Sequence, residues 1–170
     1  IDKTGFYLCE AAPDGFKFNI LKPSFQSLPG IFASSNASLF RLTPDNMETI
    51  LRASSGVKLC EANEEGILLD TATYVTTLHL PFVLPPQSSR GLIVKLDITV
   101  SQDTGCKIHF IEQGDKGFSD HKFVGSEIPS GRQCVYLVIK RQSLINLLKL
   151  QLKPYLGRYT IHALEVKALP

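Results

Sequence analysis

Leu92-Ile93-Val94-Lys95-Leu96-Asp97-Ile98-Thr99-Val100 is the stretch that decides the fold. Leu92, Val94, Leu96, Ile98 and Val100 fall at alternate positions, with Lys95, Asp97 and Thr99 among the residues between them. Successive side chains of a strand point to opposite faces, so a period of two predicts a strand with one buried face. Downstream, Gln102-Asp103-Thr104-Gly105 reads as a turn, and residues 106–111 as the hairpin partner. Cys106, Ile108 and Phe110 then share one face, and Lys107 and His109 the other.

The same reading extends to the C-terminus. Residues 112–121 are polar and glycine-containing, a loop or pair of loops, and Ile128-Pro129-Ser130-Gly131 makes another turn. Residues 133–140 are largely apolar on both faces, with Tyr136 the polar-tipped exception, as expected for a central strand covered on both sides. Residues 143–147 read as a helical turn or an irregular crossover. Leu148, Leu150 and Leu152 then alternate with Lys149, Gln151 and Lys153 until Pro154 stops the strand. The last strand, 158–168, changes parity between Ile161 and Leu164, which predicts a β-bulge near His162-Ala163.

Upstream, short strand-like pieces at 5–10, 16–21, 57–62, 67–69 and 74–80 are punctuated by Pro, Gly, Ser and Asn. Thr43-Pro44-Asp45 resembles a helix start near 44–52, with Thr43 as N-cap, Pro44 at the first position, and Met47, Ile50 and Leu51 on one face. Leu84-Pro85-Pro86-Gln87-Ser88-Ser89 reads as an inter-strand loop or, alternatively, a boundary. Many short strands with turn signals indicate an all-β, antiparallel β-sandwich. One domain over 1–170 is expected, best defined over 92–168. It reads as cut from a larger protein, since the chain begins at Ile1 with no initiator Met and no signal peptide.

The chain has 18 basic and 16 acidic side chains, a formal charge of +2, and lacks the basic footprint of a nucleic-acid binder or membrane-surface helix. Apolar residues make up 44% of it, yet no run approaches the ~20 that a membrane helix requires, so no membrane insertion is expected. Cys9, Cys60, Cys106 and Cys134 are widely spaced without a C-x-x-C pair, which argues against zinc. Cys106 and Cys134 lie in apolar runs, where a free thiol packs as a small hydrophobe, and this points to a reducing compartment such as the cytoplasm.

No G-x-S-x-G, Walker, G-x-G-x-x-G or H-E-x-x-H motif is present, and His79, His109, His121 and His162 are not at metal-ligand spacing. No catalytic residue, metal or cofactor is therefore assigned. Asp115, Asp120 and His121 read as solvated loop charges, Glu64-Glu65 as an exposed turn, and Asn36-Ala37-Ser38 as a chance glycosylation match. Sugar binding requires aromatic faces for the apolar side of a pyranose and planar polar groups for its hydroxyls. The alternation sends Lys95, Asp97, Lys107, His109, Tyr136, Lys149 and Gln151 outward. Of these, His109, Tyr136, Lys107, Asp97 and Gln151 are the candidate carbohydrate-binding residues.

Phe118-Ser119-Asp120, Ile128-Pro129-Ser130-Gly131, Leu150-Gln151-Leu152-Lys153-Pro154, Gly157-Arg158-Tyr159-Thr160-Ile161 and Leu164-Glu165-Val166, in this order, resemble a particular family. These are the jelly-roll, carbohydrate-binding-module-like domains attached to bacterial glycosyltransferases and other surface-polysaccharide enzymes. The resemblance covers residues 92–168. It implies a jelly-roll sandwich that binds a polysaccharide or oligosaccharide without catalysis, beside a catalytic domain in the same polypeptide. Gln151 and Lys153 stand where the family usually carries Arg and Asp, and His162 stands where calcium-binding jelly rolls often place an acid, so calcium is not implied. The alternative is an assembly sandwich with an apolar outer patch of Ile93, Ile111 and Val138. A β-scaffold enzyme using His109 or His121 is a third reading.

Overall fold

The computed structural model describes residues 8–10, 17–19, 27–35, 38–71, 76–81, 89–140, 143–152 and 157–169. In chain order these form β1 (Leu8–Glu10), β2 (Lys17–Asn19), α1 (Leu28–Ser34), β3 (Ser38–Arg41), α2 (Pro44–Arg52), β4 (Val57–Asn63), β5 (Gly66–Thr71) and β6 (Thr76–Leu80). The series continues with β7 (Gly91–Val100), β8 (Thr104–Glu112), β9 (Phe123–Ile128), β10 (Gly131–Lys140), β11 (Ile145–Leu152) and β12 (Arg158–Leu169). Residues 84–88 of the Pro-rich segment, Asn36-Ala37 and Pro154 fall outside the described residues.

Two antiparallel sheets face one another. One runs β10-β7-β12-β5-β4, and β3 pairs with β12 beyond the end of β5; the other runs β6-β11-β8-β9. The strands β5 to β12 pair as nested partners: β5 with β12, β6 with β11, β7 with β10 and β8 with β9. That nesting is a long hairpin wrapped around a common core, which is a jelly roll. Leu92, Val94, Leu96, Ile98 and Val100 of β7 meet Cys106, Ile108 and Phe110 of β8 and Leu148, Leu150 and Leu152 of β11 in that core.

The alternation of residues 92–100 is realised: the five apolar side chains are buried. The bulge in β12 falls between Ile161 and Ala163, at the expected position, and turns His162 outward. There its ring bonds the Thr99 hydroxyl at 2.8 Å and the Glu65 carbonyl oxygen at 2.8 Å. The β4–β5 turn at Glu64-Glu65 is exposed, with the Asn63 side chain accepting from the amides of Glu65 and Gly66. The helix at 44–52 forms with Met47 and Ile50 buried, and Asn46 accepts from the Thr43 amide to close its first turn.

Three readings are corrected. β8 does not pair with β7: residues 101–103 carry the chain to the opposite sheet, where β8 lies between β11 and β9, while β7 takes β10 and β12. Alternation reports which face is buried and not which strand lies alongside. β10 is an end strand and not a central one, and on its outward side Arg132 and Cys134 are exposed while Tyr136 and Val138 are half-buried. Cys106 packs in the core as expected, but Cys134 does not.

Candidate functional site

The outward face of the four-stranded sheet is built by parity. With Leu78, Ile108, Leu150 and Val124 buried inward, the neighbouring positions must point out. Register then aligns His79 of β6, Lys149 of β11, His109 of β8 and Phe123 of β9 in one row across the strands. The adjacent row is Thr77, Gln151, Lys107 and Gly125.

Within these rows His109 is almost fully covered, at 3% exposure, and its imidazole organises the centre. Nε2 lies 2.6 Å from the Gln151 amide oxygen, and Nδ1 lies 3.3 Å from the carbonyl oxygen of Ser119. The Gln151 amide can present either its oxygen or its nitrogen to the ring, as the imidazole tautomer requires. The Phe123 ring packs beside His109 at 5.4 Å between centroids.

Lys107 lies across β9 with its ammonium 4.1 Å from the centroid of Phe123. Gly125 gives it room. A Cβ there would stand 2.7 Å from the Cys106 carbonyl oxygen and 3.3 Å from Cγ of Lys107. On the other flank, Lys149 holds its ammonium 4.5 Å from the centroid of Phe118, whose ring meets His79 edge-on at 5.8 Å. The β8–β9 loop therefore folds back over its own sheet, placing Phe118 above β6 and β11 and the Ser119 carbonyl above β8.

That loop is pinned at its base. The Lys122 ammonium lies 2.7 Å from both Glu112 and Asp115 carboxylates, and Asp115 also accepts from the Glu112 amide at 2.8 Å. The Lys122 hydrogen bond, followed by the backbone amide, holds the Asp115 carboxyl below the usual range. Burial works against the charge of Lys122, but the two carboxylates outweigh it and raise its pKa above that of an ordinary lysine. Glu112 is buried and also accepts from the Ser143 amide at 3.1 Å. Asp115 is thus a structural staple, while Asp120 and His121 are exposed on the loop.

No family model matches this chain, and no curated protein matches it. Among solved structures it is similar to a point mutant of a carbohydrate binding module of family 29, with 16% identity and a TM-score of 0.49 over 68% of this chain and 78% of that one. It is also similar to PfGH50B, with 5% identity and a TM-score of 0.49 over 80% of this chain and 24% of that one. A third, BiXyn10A CBM1, has 9% identity and a TM-score of 0.45 over 78% of this chain and 99% of that one. The architecture described above rests on the strand pairing of this chain itself.

Of the five candidates, Lys107, His109 and Gln151 meet on this face, and Asp97 and Tyr136 stand on the outward side of the other sheet. There Asp97 is held by Arg132 in a two-pronged contact at 2.9 and 2.8 Å. This hydrogen bonding, offset in part by burial, lowers its pKa below the ordinary carboxylate value. Tyr136 meets Phe32 of α1 edge-on at 5.6 Å. Burial first, and then hydrogen bonding with the Cys134 thiol, push its hydroxyl up to about 12.

Phe32 also receives the ammoniums of Lys95 and Lys167, at 6.0 and 4.4 Å, so α1 lies over the β10-β7-β12 face. Ile93, between Val138 and Lys167 in the register, is 0% exposed beneath it. The expected apolar patch of Ile93, Ile111 and Val138 is therefore not an open surface: Ile93 and Ile111 are buried and Val138 is half-buried. The exposed large hydrophobic among the described residues is Leu147, opposite Ile111 at the rim of the four-stranded face.

Phe118 and Phe123, the aromatic members, were not among the candidate residues. Phe118 in a polar, glycine-containing segment is a readable signal, because such a loop gives it no core of its own to fill, whereas Phe123 opens β9. Among the described residues no cluster of three or more His, Cys, Asp or Glu could hold a metal ion.

Proposed function

We propose that this chain is a non-catalytic carbohydrate-binding module and that the outward face of its four-stranded sheet takes the glycan. The observation that carries the reading is the convergence of Gln151, His109 and Lys107 with the rings of Phe118 and Phe123. The covered His109 imidazole orients the Gln151 amide, a planar group that bonds sugar hydroxyls, and the ring carbons meet the apolar side of a pyranose. A lysine over a ring keeps N–H groups for a ligand. Leu147 extends the apolar floor at the rim.

The resemblance of residues 92–168 to modules attached to surface-polysaccharide enzymes supports a tethering role. In it, the domain holds a glycan chain near a catalytic domain of the same polypeptide and raises the local substrate concentration. Affinity electrophoresis and calorimetry against a panel of neutral and acidic polysaccharides test the reading. Retardation by at least one glycan, weakened when Phe118 or Phe123 is replaced by Ala, is expected. Absence of binding to every member of the panel, and to the glycan of the parent protein, overturns it.

A further inference from the structure

We infer that the glycan is anionic, a chain bearing carboxylate or sulfate groups, and that it runs across the strands from β6 towards β9. The inference rests on the proposed carbohydrate-binding role and adds its charge and direction. Among the described residues, Lys107 and Lys149 make no ion pair; the recorded partner of each ammonium is a phenylalanine ring. Three cations elsewhere are paired, Arg52 with Glu48, Lys122 with Glu112 and Asp115, and Arg132 with Asp97, while Lys95 and Lys167 on the opposite sheet also rest on a ring, that of Phe32.

The two rows that make the face contain two lysines, two histidines, a glutamine and a threonine, and no carboxylate. Glu127, two residues beyond Gly125 on β9, is the nearest acid on the outward parity, and it lies outside the two rows. An ammonium over a ring is held more weakly than one in a buried ion pair, so an incoming anion recruits it without breaking a salt bridge. This is a positive face on a chain whose overall charge is only +2.

Direction follows from how the side chains splay. Lys107 and Lys149 stand on neighbouring strands, two register positions apart, which places them diagonally, about 7 Å apart at Cβ. Lys107 reaches towards β9 and Lys149 towards the loop ring above β6, with the hydrogen-bonded His109–Gln151 pair between them. A cation on each flank of a hydrogen-bonding centre matches a polymer whose charges repeat along a path perpendicular to the strands. A chain lying along one strand would meet only one ammonium.

The test is affinity electrophoresis of the full chain in gels containing a polyuronate, a sulfated galactan, or neutral glucan and galactomannan. Calorimetry at low and high salt complements it. Expected are binding to one or both anionic polymers at least tenfold tighter than to the neutral ones and a marked weakening by salt. The Lys107→Gln, Lys149→Gln double variant should lose at least tenfold, with an unchanged urea midpoint. Which anionic polymer binds separates carboxylate from sulfate recognition. Neutral glycans bound as tightly as the charged ones, or a double variant that binds like the parent, overturn the inference and leave the carbohydrate reading standing. Failure to bind any of the four polymers removes both.

Discussion

On the outward face of the six-stranded sheet, Asp97 is held by Arg132, His162 by Thr99 and Glu65, and Phe32 of α1 lies over Tyr136, Lys95 and Lys167. On the four-stranded sheet the outward lysines rest on rings, and the central histidine and glutamine face each other. Both faces arise from the same alternation of apolar and polar residues. They differ in the acid and in the roof: the six-stranded face carries Asp97 and lies under α1, whereas the two rows of the four-stranded face contain no carboxylate. A face roofed by a helix contributes to stability, and one whose lysines have no acid in their rows keeps them for a ligand.

Five substitutions break or sharpen this contrast. The largest effect is expected from Phe32→Ala, which uncovers Ile93 and Tyr136. It should cost about 3 kcal/mol of stability, the usual loss for a buried phenylalanine, measured by urea denaturation. Glycan affinity should stay within twofold of the parent.

Next is Glu112→Ala, which removes a buried acceptor from Lys122 and the Ser143 amide and should cost about 2 kcal/mol. Because it unpins the loop, both the urea midpoint and the affinity should fall. Phe118→Ala and Phe123→Ala should each lower glycan affinity about tenfold, or roughly 1.4 kcal/mol, by calorimetry. Stability should change little for Phe118, a half-exposed loop residue.

The smallest effect belongs to Asp97→Asn. An ion pair whose arginine is 62% exposed is screened by solvent and contributes little. The sign with pH is definite. Because Asp97 titrates below its ordinary value when folded, the pair stabilises fully above the ordinary carboxylate range. The contribution disappears as pH falls through the lowered value. Stability curves of parent and variant should therefore converge in acid and stay separated, with a constant gap, at neutral pH.

Much of this was readable in the chain itself, and the reasons for the rest are physical. Strands β7, β8, β11 and β12 announced themselves by alternation, and the bulge at His162 by a change of parity. β9 did not, because Gly125 interrupts it and Ser126-Glu127 follow, so its six residues carry no clean period. α1 was missed because Pro29 and Gly30 are poor helix formers; Ser27, whose hydroxyl accepts from the Gly30 amide, and the burial of Phe32 sustain its short run.

For the site, parity alone placed Lys107, His109 and Gln151 outward. It could not separate them from Asp97 and Tyr136, since the choice between two sheets is made by long-range pairing. Nor does periodicity reach into a loop, where Phe118 lies.

The nested pairing of β5 to β12 also orders events in time as the chain folds. Among those eight strands only β8 and β9 are partners joined by a local connection, the loop that Lys122 pins. Each outer pair closes a longer stretch of chain, and closing it is cheaper once the pair inside has formed. The tip of the hairpin should therefore gain its hydrogen bonds first, and pairing should spread through β7–β10 and β6–β11 to β5–β12. Pulse-labelled amide exchange during refolding should show protection at Cys106–His109 before Tyr159–Ile161. The proposed binding loop would then be among the earliest parts of the molecule to take shape, and a defect at Lys122 would slow folding as well as weaken binding.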